Sequence, residues 1–168
     1  MSLRSAYREQ LLATATSAST VARIFQLPKA CSPNMDISKI DLLIRASVDG
    51  PLTDELVEPM LGSLTREEFC DLFSKRVAHE FAADRLTFEI GDAAMNRLYS
   101  FAGRSSGGNI PSYTWDVFLA FDAGEYFRRE DPEDVDPVEK YTRPDVLEIV
   151  ARDNAGADTL TCQSSGKR

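Results

Sequence analysis

The sequence TREEFCDLFSKRVAHEF, residues 65–81, carries the clearest signal of secondary structure in this chain. Thr65 and Glu68 are spaced as a capping box, in which each side chain accepts a hydrogen bond from the other residue's backbone amide at a helix start. Five apolar side chains then follow at intervals of three and four, which places them on one face of a helix. They are Phe69, Leu72, Phe73, Val77 and Phe81. These features predict an amphipathic helix whose apolar face enters the core.

Two further helices are predicted downstream of this one. The first runs from about Asp84 to Ala102, and Gly103 is placed to end it in the left-handed conformation that glycine tolerates. The second covers residues 113–127, where aromatic residues also favour a strand. That segment does not alternate and is long for a strand, so we predict a buried helix, with a small sheet near Tyr113 as the alternative.

The remaining helix signals are weaker. Helical spacing extends over Ser5–Phe25 and Met35–Ala46, Thr53 can cap a brief helix that Pro59 disturbs, and Thr142–Asp145 opens a short helix. The fold class expected is therefore mostly α, a bundle of six or seven helices. We predict one helical domain over residues 1–153 and a flexible tail over residues 154–168. Four side chains are predicted to lie in the core: Phe73, Leu98, Trp115 and Phe118.

Composition indicates an ordinary globular protein. The chain has 168 residues, of which 43% are hydrophobic and 27% charged. A chain of this length can bury a stable hydrophobic core without disulfides or bound metals. The three cysteines are widely spaced and odd in number, so no disulfide framework is expected. Cysteines without disulfides are typical of proteins in the reducing cytoplasm. The Ser/Thr-rich start loosely resembles a transit peptide, but a structural helix is favoured there.

Almost all of the net charge lies in one segment, residues 116–153. It contains twelve acidic and five basic residues, a net charge of −7 out of −8 for the whole chain. Excess acid argues against a nucleic-acid binder, which needs a basic surface. Such a segment can attract a basic partner and accelerate its association.

No catalytic motif accompanies this charge. His79 is the only histidine, and the sequence places no cysteine near it, so a surface role is favoured over catalysis. The chain is therefore predicted not to be an enzyme and to need no cofactor.

Two carboxylate pairs offer the main alternative. Glu89 and Asp92 share one predicted helix face, and Asp122 and Glu125 share another. Helices with such pairs can hold two metal ions, although those sites normally add a Glu-x-x-His pair that this chain lacks. A helical carboxylate-bridged metalloenzyme, or a helical regulatory or scaffold module, thus remains as the alternative function.

Two stretches, LTFEIGDAAMNRL at residues 86–98 and DVFLAFDAGEY at residues 116–126, resemble segments of small bacterial immunity proteins. Those proteins accompany polymorphic or contact-delivered toxins. The resemblance implies a cytoplasmic protein that binds and inhibits a cognate toxin domain. The acidic segment agrees with this, since nuclease toxins are often basic and acidic inhibitors meet them quickly.

These observations lead to one functional expectation. We expect an antitoxin-like immunity protein, monomeric or weakly dimeric, that binds a basic toxin and has no nucleic-acid or membrane partner. The expected partner-binding residues are the acids of residues 116–139: Asp116, Asp122, Glu125, Glu130, Asp131, Glu133, Asp134, Asp136 and Glu139.

Overall fold

The computed structural model describes residues 37–104 and 109–162, with residues 156–162 described by their backbone alone. All of them fall within one unit of the chain, Pro33–Arg168. They form six α-helices and one π-helical turn, and no strand occurs in these ranges. The elements are α1 (Ile37–Asp49), α2 (Asp54–Leu61), α3 (Arg66–Ala82), α4 (Phe88–Gly103), α5 (Ser112–Asp122), the π-turn (Val138–Thr142) and α6 (Arg143–Cys162). The predicted mostly-α bundle is confirmed, and the sheet near Tyr113 is wrong.

Two predictions concern residues outside the described ranges. The helix predicted over Ser5–Phe25 lies there, and so do the last residues of the predicted tail.

Helix α3 begins as the capping box predicts. Thr65 Oγ1 accepts a hydrogen bond from the Glu68 amide at 3.2 Å, and Glu68 Oε2 accepts one from the Thr65 amide at 2.8 Å. Because the Thr65 amide and the Thr65 hydroxyl both donate to the Glu68 carboxylate, the pKa of Glu68 lies below its ordinary value. The box satisfies two amides that would otherwise lack partners at the helix start.

The buried face of α3 forms the centre of the bundle, because α3 packs against α1, α4, α5 and α6. Phe69 and Phe73 are fully buried, with ring centroids 5.8 Å apart, and Phe101 of α4 lies edge-on to Phe69 at 5.8 Å. Cys70 is a buried core residue, as its place in the helical pattern suggests, and burial raises the pKa of its thiol to about 12.

Helix α4 begins later than predicted. Asp84 has a φ of 56°, which interrupts the chain after α3, and the helix starts at Phe88 with Thr87 in the N-cap position. The prediction for Gly103 is also wrong: among the described residues only Asp84 and Gly62 have positive φ. Arg104 continues in right-handed conformation, and its guanidinium donates a hydrogen bond to the Leu52 carbonyl.

Helix α5 confirms a helix within residues 113–127 but ends at Asp122. Only one of its two apolar faces enters the core, where Val117 and Phe121 are buried. The other face, with Trp115 and Leu119, is open to solvent, and Trp115 is 38% exposed. Phe73 and Leu98 are core residues as predicted, Phe118 is half-buried, and the prediction of a core Trp115 is wrong.

Helix α6 is longer than the short helix predicted near Thr142. It follows the π-turn directly and continues to Cys162, past the domain boundary predicted at residue 153. Val146 and Ile149 bury its inner face. Gly124, in the turn after α5, lies against Thr142 of the π-turn, so this junction holds together the two ends of the segment between them.

Candidate partner-binding surface

The structure places the nine predicted binding residues in three different settings. Some form ion pairs within the chain, others accept hydrogen bonds from neighbouring residues, and the rest have no ion pair with a described residue. The ion-paired acids are Asp116 with Arg152 at 3.3 Å, Asp131 with Lys140, and Glu139 with Arg143 at 2.9 Å. Asp136 accepts from the Val138 amide at 2.8 Å, and Glu125 accepts from Asn96 at 3.1 Å. Those without an ion pair are Asp122, Glu130, Glu133 and Asp134.

We call residues 128–136 the acidic loop, and its own side chains brace it against the π-turn. The Arg128 guanidinium lies 3.7 Å from the centre of the Tyr141 ring. The Tyr141 hydroxyl donates to Asp131 at 2.5 Å, and Lys140 pairs with the same carboxylate, whose side chain is only 6% exposed. These hydrogen bonds hold the pKa of Asp131 below its ordinary value. Asp131 therefore supports the loop from inside.

The outward side of the acidic loop is different. Glu130, Glu133 and Asp134 are all exposed, and the structure gives none of them an ion pair within the described ranges. Two of the nearby bases are directed elsewhere, Lys140 to Asp131 and Arg128 to Tyr141, while Arg129 is exposed on the loop and has no ion pair with a described residue. The loop thus presents three carboxylates on a braced backbone.

A second surface lies on the outer side of α4 and α5, where four side chains form what we call the aromatic patch. Tyr99 and Phe118 stack with centroids 4.4 Å apart, and Trp115 lies 5.6 Å from Phe118 and 5.8 Å from Tyr99. Leu119, one helical turn after Trp115, is 44% exposed and completes the patch. Large aromatic side chains that remain open to solvent are typical of protein interfaces.

The two carboxylate pairs meet at one end of the same α4–α5 surface, and we call their four residues the carboxylate group. Asn96 joins them: its amide donates to Asp92 at 2.9 Å and to Glu125 at 3.1 Å. Burial raises the pKa of Asp92 to about 7, and the hydrogen bond with Glu125 and the charges of Glu125, Asp122 and Glu89 add to the rise. Asp92 and Glu125 thus share a proton near neutral pH, with Glu125 the more acidic partner.

The carboxylate group does not have the arrangement of a metal site. In residues 37–104 and 109–155, no three potential metal ligands lie close enough together to hold a metal ion. Asp92 and Glu125 use part of their acceptor capacity on Asn96 and on the shared proton. The described residues therefore give the metalloenzyme alternative no geometric support.

His79 lies between helices rather than on an open surface. Its Nε2 is 3.2 Å from Asp153 Oδ2 of α6, and Lys75 pairs with the other oxygen of that carboxylate at 2.6 Å. Although burial opposes it, bonding to Lys75 and His79 lowers the pKa of Asp153. This contact joins α3 to α6 and gives His79 a structural role.

Among the described residues, a pocket lies where α3 meets the π-turn. It has a volume of about 330 Å³ and is lined by Phe81, Phe88 and Val138 with two arginines. Arg85 pairs with Glu80, and Arg143 pairs with Glu139 and Asp84, so both guanidinium charges are already compensated. The two arginines of the pocket therefore offer no uncompensated charge to a ligand.

Sequence reasoning missed the aromatic patch. The sequence predicts Trp115 and Phe118 as core residues, and Leu119 lies on the same helical face as both. The signal that could have corrected this is Asp122, which continues the same stripe at the next i+3/i+4 step and marks it as solvent-facing. Tyr99 could not have been found, because its partners come from another helix.

Comparisons with protein-family models, with curated proteins and with solved structures give no match to this chain. No helix within the described residues is long and apolar enough to cross a membrane.

The shared proton leads to a prediction about Asp92. Its folded-state pKa of about 7 lies above the ordinary 3.8, so the folded chain binds more protons between these values. The free energy of unfolding contributed by Asp92 is therefore fully present below pH 3.8 and is lost as pH rises through 7. Asp92→Asn should raise the thermal midpoint over the parent at about pH 8.5, and this gain should shrink towards about pH 5. Thermal melts across this window test it.

The matched control for Asp92→Asn is Asp145→Asn, which changes an exposed carboxyl on α6. Its difference from the parent should be the same at both ends of the pH window. A gain for Asp92→Asn that does not vary with pH would contradict the shared proton.

Proposed function

We propose that this protein is an immunity protein that binds a basic toxin domain and inhibits it through its acidic surface. The observation that carries the proposal is the acidic loop, in which Glu130, Glu133 and Asp134 face solvent without ion pairs in the described part of the chain. An inhibitor of this kind needs fixed negative charge that its own bases do not neutralise.

Charge on this loop would act first on the rate of encounter. Complementary potentials raise association rates well above the ordinary range for two proteins, and they do so most at low salt. The net charge of −7 over residues 116–153 supplies such a potential.

The bracing of the loop would act on the strength of the complex. A loop that must become ordered on binding loses conformational entropy, and this loss weakens the complex. Arg128, Asp131, Lys140 and Tyr141 already restrain the backbone in the unbound chain. Binding would then require little further ordering of the acidic loop.

The test begins with the partner. The product of the adjacent gene should arrest growth when expressed alone, and co-expression of this chain should restore growth. The purified pair should form a complex. A partner that is toxic but neither bound nor neutralised by this chain would refute the proposal.

A triple charge reversal, Glu130→Lys with Glu133→Lys and Asp134→Lys, should slow association with that toxin domain about tenfold or more at low salt. Added salt should reduce the difference from the parent, because exposed charges are screened beyond about 8 Å at physiological ionic strength. Stability should change little, since these side chains are exposed. Asp136 is left intact because it accepts from the Val138 amide. Association rates measured against salt concentration test this.

The control carries the same change of net charge outside the loop, by reversal to lysine of Asp49, Glu58 and Glu148, which are all exposed. Its association should slow much less than that of the loop variant. Equal slowing by both variants would mean that only total charge matters and that the loop is not the recognition surface.

A further inference from the structure

The aromatic patch is an open helix face with its side chains already ordered. Tyr99, Phe118 and Trp115 stack on one another, yet Tyr99 is 37%, Trp115 38% and Leu119 44% exposed. Tryptophan and tyrosine contribute most of the binding energy in many protein interfaces, where a partner side chain shields them from water. Because the stacking fixes these rings in the free chain, little side-chain entropy remains to be lost.

The charge beside the patch determines what kind of side chain the partner must add. Asp122 follows Phe118 by one turn of α5, about 6 Å along the helix axis. Asp122 belongs to the carboxylate group. The four acids of this group have no ion pair with any cation of the described residues. Their repulsion is relieved only in part, by Asn96 and by a proton. A cation from outside would relieve it fully.

We infer that the α4–α5 face binds a helical segment of the partner that carries an apolar side chain and an arginine one turn apart. The apolar side chain packs on the aromatic patch, and the arginine enters the carboxylate group. The inference deepens the proposed function and rests on it for the identity of the partner, since it names the segment of a basic protein that this face recognises.

Arginine fits the carboxylate group better than lysine does. Its planar guanidinium has five donors and can bond two carboxylates at once, whereas an ammonium is a compact point charge. Asp92 and Glu125 are already held side by side by the Asn96 amide, which is itself a planar donor. A guanidinium replaces the shared proton as the positive group between the two carboxylates.

The experiment uses the full chain and a helix-stapled synthetic peptide with leucine and arginine at i and i+4. A second peptide has glutamine in place of the arginine. Trp115 is the only tryptophan of the chain, so its fluorescence reports on the patch directly. The arginine peptide should shift the Trp115 emission to shorter wavelength and should bind about tenfold or more tightly than the glutamine peptide. At neutral pH its binding should release a proton, seen as a binding heat that depends on the buffer.

Variants with matched controls locate the contact. Leu119→Ser and Glu125→Gln should each weaken the arginine peptide about tenfold. Leu147→Ser and Glu148→Gln, at exposed positions of α6, should leave its affinity unchanged, and Leu147 matches Leu119 with 47% exposure. Trp115 remains as the reporter in all four.

Three results would overturn the inference. These are equal affinity for the two peptides, equal losses in the α6 controls, or Trp115 emission that shifts with protein concentration alone, which would assign the face to a second copy of the chain. The two proposals also fail separately. Toxin neutralisation that survives Leu119→Ser and Glu125→Gln refutes this inference and leaves the proposed function standing. Peptide binding without toxin neutralisation refutes the proposed function and leaves the binding of the arginine-bearing segment standing.

Discussion

Phe73→Ala is expected to lower the free energy of unfolding by about 3–5 kcal/mol, and Leu98→Ala by about 2–5 kcal/mol. Both side chains are completely buried, Phe73 on the central helix α3 and Leu98 on α4. Their removal loses apolar burial and leaves a cavity that the packed helices around it can fill only in part. Chemical denaturation of the two variants measures both costs.

Trp115→Ala is the informative comparison for these core variants. Its side chain is larger than that of Phe73, but it lies on an open face with 38% exposure. Removal leaves a surface depression that water fills, so the cost should be only about 1–2 kcal/mol. A loss as large as that of Phe73→Ala would show that this face is covered in the folded chain.

Gly124→Ala should also destabilise strongly, by about 1–3 kcal/mol or more. A β-carbon at this buried glycine would lie far inside contact distance of Thr142 Oγ1 and 3.1 Å from Phe88. The φ of Gly124 is not positive, so the cost comes from overlap and not from backbone strain. Since this junction joins the end of α5 to the π-turn, the acidic loop should also become more accessible to proteases.

Two further variants separate overlap from other causes. Thr142→Ala alone should be nearly neutral, because the Thr142 hydroxyl is buried with no hydrogen-bond partner among the described residues. Added to Gly124→Ala, it removes the overlapping oxygen and should recover much of the loss, a coupling that a double-mutant cycle measures. Gly103→Ala, with nothing within 4 Å, should cause no loss. Additive effects in the cycle would contradict the overlap.

The sequence predicted a helix accurately where a capping box is followed by a stripe of apolar side chains. The Thr65–Glu68 capping box fixes the start of α3, and the apolar stripe fixes its buried side, so both could be read from the sequence. Helix boundaries that depend on the backbone conformation of a single residue could not be predicted from the sequence. The left-handed Asp84 delays α4, although an aspartate there gives no stronger turn signal than many others do.

The candidate site was predictable in its charge and not in its geometry. Counting acids located the segment, and spacing located both carboxylate pairs. The sequence could not show that Asp131 turns inward to Lys140 and Tyr141, nor that Asn96 of α4 joins Asp92 to Glu125. These arrangements depend on how helices and loops distant in sequence pack together.

In the acidic loop, the residues that support the backbone are different from the residues that face solvent, and this determines which positions tolerate substitution. Arg128, Asp131 and Tyr141 brace the loop from within, while Glu130, Glu133 and Asp134 face outward and contribute nothing to that brace. The outward positions can therefore be substituted independently of the fold. In a display library randomised at those positions alone, most members should remain folded, and new partner specificities could be selected from it without redesign of the scaffold.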